Sequence, residues 1–376
     1  MDKPHFIDLL REWPADRVRA LLDRENNPAS VRRALAQAGR FAPENVAALL
    51  GTAAQAQLDP LARAARLLTR RHFGRAVQFF VPLYTSNICC NGCRYCGFNC
   101  QSTGTLRKAL TLDQAEAECD HLAKRGYGHL LLVASEDLKN NPPQYFVDLV
   151  RRIRPKFASI NVEIYALTQA WYDRLAQVGV DGMTMFQETY DPDAYRRYHP
   201  FGPKADYANR LDAYERAARA GLTFIGLGAL LGITDWRLEC FWLALHADYL
   251  RRVWWKSPVS ISFPRMRPAE GGTPPEYPVG DRAFVQLMCA LRLQFPDATM
   301  TVSTREPAGF REQLLQIAAT KLSAESKTTP GGYLEDDTPA GAQFDISDGR
   351  SLEEIEAVLR RMGFDPVLKD WDRALV

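Results

Sequence analysis

The sequence predicts an α/β chain closing into a (β/α)8 barrel of the TIM type, on three observations. Eight short β-rich runs recur after residue 76, at 77–84, 129–135, 159–167, 182–189, 223–230, 258–265, 299–305 and, more weakly, 320–324. Amphipathic stretches of helical period separate them, and that alternation argues for a parallel sheet. Polar groups gather at the C-terminal end of nearly every run, where a barrel carries its chemistry. An open doubly wound sheet is the alternative. No G-x-G-x-x-G follows the first run, which weighs against a dinucleotide fold.

Residues 1–75 read as a helical N-terminal extension. Apolar positions recur at helical spacing around Val18–Leu22, Val31–Leu35 and Leu61–Leu68, with Gly39, Gly51 and Gly74 placed where helices could stop. The barrel is expected over 76–326. Within it, Thr111-Leu112-Asp113-Gln114 spells a capping box, and Gly126 could end the helix it opens. Another helix is expected over 205–220, ended by Gly221, and another over 281–294, opened by Asp281. The segment 327–376 is expected to pack on the barrel. It carries Thr329-Pro330-Gly331-Gly332-Tyr333, the acidic run Glu335-Asp336-Asp337, a short helix from Leu352 to Met362, and the ending Lys369-Asp370-Trp371-Asp372.

The 376 residues are 46% hydrophobic and 24% charged, as in a soluble globular protein. Forty-seven basic and 45 acidic residues leave a net charge of +2, which argues against a nucleic acid partner. The longest apolar run, Phe224–Ile233, is too short to cross a bilayer, so no membrane partner is expected. The start of the chain lacks a signal-peptide layout. Four of the eight cysteines fall between Cys89 and Cys96. Clustered cysteines without a secretion signal point to a reducing cytoplasm and to metal rather than disulfides.

Cysteines this close cannot easily pair without strain. Cys89, Cys93 and Cys96 are spaced C-x3-C-x2-C, so three thiolates can hold three corners of a four-iron cluster. The fourth iron then lacks a protein ligand and is open to chemistry. The alternatives are a buried reactive loop or a zinc knot closed by Cys90 or Cys100, which would make the chain a non-catalytic metal scaffold.

With Tyr95 before its last cysteine, the motif resembles the signature of radical S-adenosylmethionine (radical SAM) enzymes. Further stretches narrow the likeness: Pro82-Leu83-Tyr84-Thr85-Ser86-Asn87, Cys96-Gly97-Phe98, Phe186-Gln187-Glu188-Thr189-Tyr190, Ser262-Phe263-Pro264-Arg265-Met266-Arg267-Pro268, Ser303-Thr304-Arg305-Glu306 and Ser326–Tyr333. From about residue 60 to the end, the chain is similar to the aromatic amino acid lyases of that superfamily. The 326–333 motif and the 369–372 ending favour its tyrosine-cleaving members. The resemblance implies a barrel of the radical SAM kind, a 4Fe-4S cluster on Cys89, Cys93 and Cys96, and S-adenosyl-L-methionine chelating the open iron. It implies cleavage of the Cα–Cβ bond of L-tyrosine to 2-iminoacetate and p-cresol, with methionine and 5′-deoxyadenosine as co-products. The iminoacetate would serve the thiazole moiety of thiamine. Thiazole synthase and a flavodoxin or ferredoxin electron donor are the implied partners.

The same resemblance implies residue roles. Tyr84, Ser323 and Arg305 would line the substrate site, with Arg305 gripping the tyrosine carboxylate through two parallel hydrogen bonds. Against this, Arg305 could simply pair with Glu306 or with an acid on a neighbouring strand. Arg265 and Arg267 are further basic candidates. Tyr95 would pack near the cluster and the adenine, or be an ordinary core aromatic. Glu136 would face the methionine amino group, in an Ala134-Ser135-Glu136 stretch where the family often has a Gly-Gly-Glu-like one. Glu163 would accept from the ribose hydroxyls, or be a surface carboxylate. A tryptophan lyase shares the likeness at Tyr84, Arg305 and Ser323. The hydrogenase-maturation tyrosine lyase is disfavoured, because no second cysteine cluster follows Cys289.

Overall fold

The computed structural model describes residues 5–334 and 341–369. The acidic run 335–337 and residues 370–372 lie outside the described residues. Eight parallel strands close a barrel: β1 (Ala76–Ser86), β2 (His129–Ala134), β3 (Ser159–Glu163), β4 (Gly182–Thr184), β5 (Phe224–Gly228), β6 (Val259–Ser262), β7 (Thr299–Val302) and β8 (Lys321–Ser323). Each pairs with the next, and β1 pairs with both β8 and β2. The (β/α)8 expectation holds. A ninth strand, β9 (Asp365–Val367), comes from the C-terminal segment and adds parallel to Ala76–Gln78 at the start of β1. Three residues containing a proline give little periodic signal, so β9 was not legible in the sequence.

Side-chain alternation decides what the barrel holds. Outward positions such as Phe79, Val81 and Leu83 on β1, Ile160 and Val162 on β3, and Ile225 and Leu227 on β5 are apolar and fully buried beneath the helices. Inward positions are mostly small or polar, for example Asn161, Thr184, Ser260, Ser262, Thr301 and Ser323. Barrel interiors are ordinarily filled by bulky branched residues. This one leaves about 960 Å³ of unfilled space, its open mouth included. A second cavity at the N-terminal end of the strands shares Asn161, Phe224 and Lys321 with the first.

The expected strands 159–167 and 182–189 stop early, at Glu163 and Thr184. Beyond Thr184 the chain bends, with Glu188 at φ 70°. A non-glycine residue there costs about 1–3 kcal/mol and persists only when its surroundings hold it. Glu239, in the helix Trp236–Val253, supplies the hold. Its carboxylate accepts from the hydroxyls of Thr189 and Thr234, each at 2.5 Å, and from the Tyr190 amide at 2.9 Å. No cation pairs with it among the described residues, and burial pushes its pKa up to about 7. A carboxylate raised in the fold stabilises fully below pH ~4.5, and that contribution is lost as pH rises through ~7, on the order of 3 kcal/mol. We expect the wild-type melting midpoint to fall between pH 5.5 and 7.5, with a shallower fall in Glu239→Gln. Equal slopes would show that Glu239 does not ionise in this range.

The Thr111–Gln114 capping box forms with both reciprocal bonds, at the start of Leu112–Lys124. The helices expected over 205–220 and 281–294 are Tyr207–Arg219 and Asp281–Gln294. The 352–362 expectation corresponds to Leu352–Arg361, capped by Ser351. Six helices between Phe6 and Phe73 precede the barrel and pack chiefly on Asp281–Gln294 and Trp236–Val253. Among the described residues no helix is long and apolar enough to cross a membrane.

Candidate active site

The cysteine loop leaves the C-terminal end of β1 and crosses the barrel mouth. Its backbone donors and acceptors are largely claimed. The Cys90 amide donates to the Glu136 carbonyl (3.1 Å), and the Arg94 amide to that of Tyr198 (3.1 Å). Arg107 staples the loop from below, donating to the carbonyls of Asn87 (2.7 Å), Phe98 (3.0 Å), Asn99 (2.5 Å) and Ser102 (3.2 Å). Cys93 is buried, Cys89 and Cys96 are half-buried, and Cys90 and Cys100 are exposed. Burial pushes the Cys93 thiol up and that of Cys96 up to about 12.

This donor set fits a cluster better than a single ion. Tetrahedral zinc, with Zn–S bonds near 2.3 Å, holds its sulfurs roughly 3.8 Å apart. Among the described residues no three cysteine sulfurs lie within 4.8 Å of one another. The sulfurs also receive N–H donors, which stabilise ligating thiolates. The Asn91 amide and Nδ2 reach Cys89 Sγ at 3.5 and 3.6 Å, and the Phe98 amide reaches Cys96 Sγ at 3.4 Å.

Glu136 stands beside this loop, its carboxylate accepting from Asn91 Nδ2 at 2.8 Å. Tyr95 packs against Ala194, Tyr198, Leu230 and Ile233, and its hydroxyl lies 2.8 Å from His199 Nε2. His199 Nδ1 faces the Tyr195 carbonyl at 2.8 Å, and burial lowers its pKa to about 3. The ring is therefore neutral, with the proton on Nδ1, and Tyr95 is the donor. The Lys204 ammonium also lies 5.4 Å from the Tyr95 ring centroid.

Tyr84, Glu163, Arg305 and Ser323 come together around the cavity. Tyr84 donates to Gln343 Oε1 at 2.8 Å and meets Phe98 edge-on. Ser323 Oγ accepts from the Thr304 amide at 3.2 Å. Glu163 lines the cavity instead of the outer surface, and burial pushes it up to about 7 although Arg305 opposes the shift.

Arg305 is the decisive group. Glu306 is taken by Arg265, which also binds Asp281 at 2.7 Å. Arg267 is occupied with Ser347 Oγ at 2.5 Å. Among the described residues no carboxylate lies within ion-pairing distance of Arg305. Among the described residues its guanidinium donates only to the Arg265 carbonyl, at 3.3 Å, and it sits 3.4 Å over the ring of Phe344. Burial lowers its pKa, yet a guanidinium remains charged. A buried cation that lines a cavity, with Glu163 and Glu188 acting on it only from beyond ion-pairing distance, suits an anionic ligand.

Sequence reasoning missed Lys204 and Arg210. Lys204 Nζ binds the Glu188 carboxylate at 2.7 Å, and Arg210 lies 3.5 Å from it. Burial opposes the charge on Glu188, but the two cations outweigh it and hold the carboxyl below its usual range. The bend at Glu188 gathers these residues, and no local motif signals it. Gln343 and Phe344 were also missed.

A barrel with a cysteine loop at its mouth and a buried arginine facing its cavity defines a class, and comparison with known proteins agrees. The Radical SAM superfamily profile matches residues 83–241, and that of the Biotin and Thiamin Synthesis associated domain matches 262–365. The chain is a radical SAM lyase, and this class implies a 4Fe-4S cluster, S-adenosylmethionine and a reductant. The 2-iminoacetate synthase of Salmonella typhimurium strain LT2 is 40% identical over 98% of this chain and 97% of its own length. That of Escherichia coli K12 is 40% identical over the same shares. The chain belongs to the 2-iminoacetate synthase family. Among solved structures, a crystal structure of the FeFe-hydrogenase maturase HydG superposes with a TM-score of 0.89 at 34% identity, covering 94% of this chain and 80% of that one. Methylornithine synthase, at 20% identity and a TM-score of 0.69 over 90% of this chain and 97% of that one, shares the fold.

Proposed function

We propose that the chain cleaves the Cα–Cβ bond of L-tyrosine, giving 2-iminoacetate and p-cresol, and that the iminoacetate serves the thiazole of thiamine. The observation that carries this reading is Arg305, a buried cation that has no carboxylate within ion-pairing distance among the described residues and faces a cavity beside the cysteine loop. The atoms of tyrosine equal those of the two products. The hydrogen taken from the substrate is made good in p-cresol by one electron and one proton.

Cys89, Cys93 and Cys96 would hold three irons and leave the fourth for the methionine end of the cofactor. When bound, the cluster and S-adenosylmethionine supply a 5′-deoxyadenosyl radical. Everything else falls to the chain's own groups. Glu136, fastened to the cysteine loop through Asn91, would accept from the methionine amino group. Tyr95 backs the same loop, and Glu163 would accept from the ribose hydroxyls. Arg305 grips the substrate carboxylate, while Tyr84 and Ser323 line the same chamber. Reacting atoms held nearly in contact convert binding into rate, and an enclosed cavity keeps the radical from stray hydrogen donors. We also infer a cytoplasmic setting, electron delivery by a flavodoxin or ferredoxin, and transfer of the imine to thiazole synthase, since an imine hydrolyses in open water.

The test is anaerobic turnover of the reconstituted protein with S-adenosylmethionine and dithionite. Tyrosine should give p-cresol and 5′-deoxyadenosine, and tryptophan should give no indole product. A methylindole acid from tryptophan, with no p-cresol from tyrosine, would overturn the reading.

A further inference from the structure

Between Gly341 and the last helix, the chain runs over the barrel mouth as a strap. It is stitched to four separate parts of the site. The Gly97 amide, in the cysteine loop, donates to the Gln343 carbonyl (3.0 Å), and the Gln343 amide donates to that of Thr328 (3.1 Å). The Asp345 amide donates to the Pro268 carbonyl (3.1 Å), and the Ser347 amide to that of Thr304 (2.8 Å). At its far end Asp348 is fully buried against Arg311 at 2.5 Å and also binds Arg350 at 2.8 Å. The loop and strap are in direct contact: a Cβ on Gly97 would lie 2.4 Å from the Ala342 carbonyl.

Two adjacent strap residues touch two of the side chains that line the chamber, Tyr84 and Arg305. Gln343 Oε1 accepts from the Tyr84 hydroxyl at 2.8 Å, and the Phe344 ring lies 3.4 Å from the Arg305 guanidinium carbon. We propose that Gln343 and Phe344 are positioning residues, fixing Tyr84 and Arg305 for tyrosine and tying their geometry to the cysteine loop. Resting on the tyrosine reading, the argument is one of freedom. An unpaired arginine side chain has many rotamers to lose. Stacking on Phe344 removes most of them before substrate arrives and leaves the N–H edge of the guanidinium for a carboxylate. Gln343 does the same for the Tyr84 hydroxyl. A loosened grip lets the radical form beside badly placed tyrosine, so cofactor cleavage uncouples from p-cresol formation.

The experiment compares wild type with Phe344→Ala, Phe344→Leu, Phe344→Tyr and Gln343→Ala, all anaerobically reconstituted. It reads iron content, kcat, KM for tyrosine, and the ratio of 5′-deoxyadenosine to p-cresol. Phe344→Ala and Phe344→Leu should raise KM roughly tenfold and raise the ratio several-fold at unchanged iron content. Phe344→Tyr keeps the aromatic face and should stay within about twofold of wild type. Gln343→Ala should raise the ratio. If Phe344→Ala loses iron through misfolding, Phe344→Leu decides, because it nearly preserves volume. Wild-type KM and ratio in Phe344→Leu would overturn the role of Phe344, and an unchanged ratio in Gln343→Ala would overturn that of Gln343. Failure of the wild type itself to make p-cresol is a different result: it removes the tyrosine reading, and the strap's role falls with it.

Discussion

Replacing Cys93 with alanine should leave a protein that makes no p-cresol and holds far fewer than about four irons per chain. Cys89→Ala and Cys96→Ala should do the same, whereas Cys90→Ala and Cys100→Ala should keep both iron and turnover. The reasoning is geometric. Cys90 and Cys100 are exposed, and the three half-buried or buried cysteines alone combine the C-x3-C-x2-C spacing with N–H donors on two of their sulfurs. Removing one of three protein ligands would leave a cluster held by two, with the remaining loop thiols, Cys90 and Cys100, exposed. Iron and sulfide analysis with the visible spectrum checks this before any activity is measured. A colourless protein binding one zinc, with iron uptake equally unaffected by all five replacements, would return the loop to the zinc-knot alternative.

Much of this was readable in the chain, and the reasons are physical. The barrel follows from strand and helix periods, because an outward face covered by helices must be apolar, as Phe79, Val81 and Leu83 are. The cysteine loop follows from spacing, since its residues are neighbours in sequence. Arg305 was nameable as a residue, but its unpaired state was not: the competing pair with Glu306 was excluded only by the contact between Glu306 and Arg265. Long-range partners leave no periodic trace. Gln343 meets Tyr84 across 259 residues, and Arg125 reaches Glu325 across 200. Lys204, in a short turn, and Arg210, inside the helix Tyr207–Arg219, look like ordinary surface cations until the bend at Glu188 brings its carboxylate to them.

The second large effect is at Arg305. Arg305→Ala should lower kcat/KM for tyrosine by about 10²- to 10⁴-fold, since truncating one member of a buried hydrogen-bonded charge pair costs about 2–5 kcal/mol or more. Arg305→Lys should fall between, because an ammonium restores the charge but not the planar fork that meets both carboxylate oxygens. Iron content should be unchanged in both, as Arg305 makes no contact with the cysteine loop among its hydrogen bonds. The size of the loss alone would not separate a lost grip from a collapsed cavity, since Arg305 also stacks on Phe344. Tyramine separates them. It keeps the phenol and the amine but has no carboxylate, so it gains nothing from Arg305. Its inhibition constant should therefore differ little between wild type and Arg305→Ala, while tyrosine affinity collapses. Equal losses for tyrosine and tyramine would mean that the guanidinium shapes the chamber without touching the substrate. The anion it was built for would then have to be sought in the cofactor's own carboxylate.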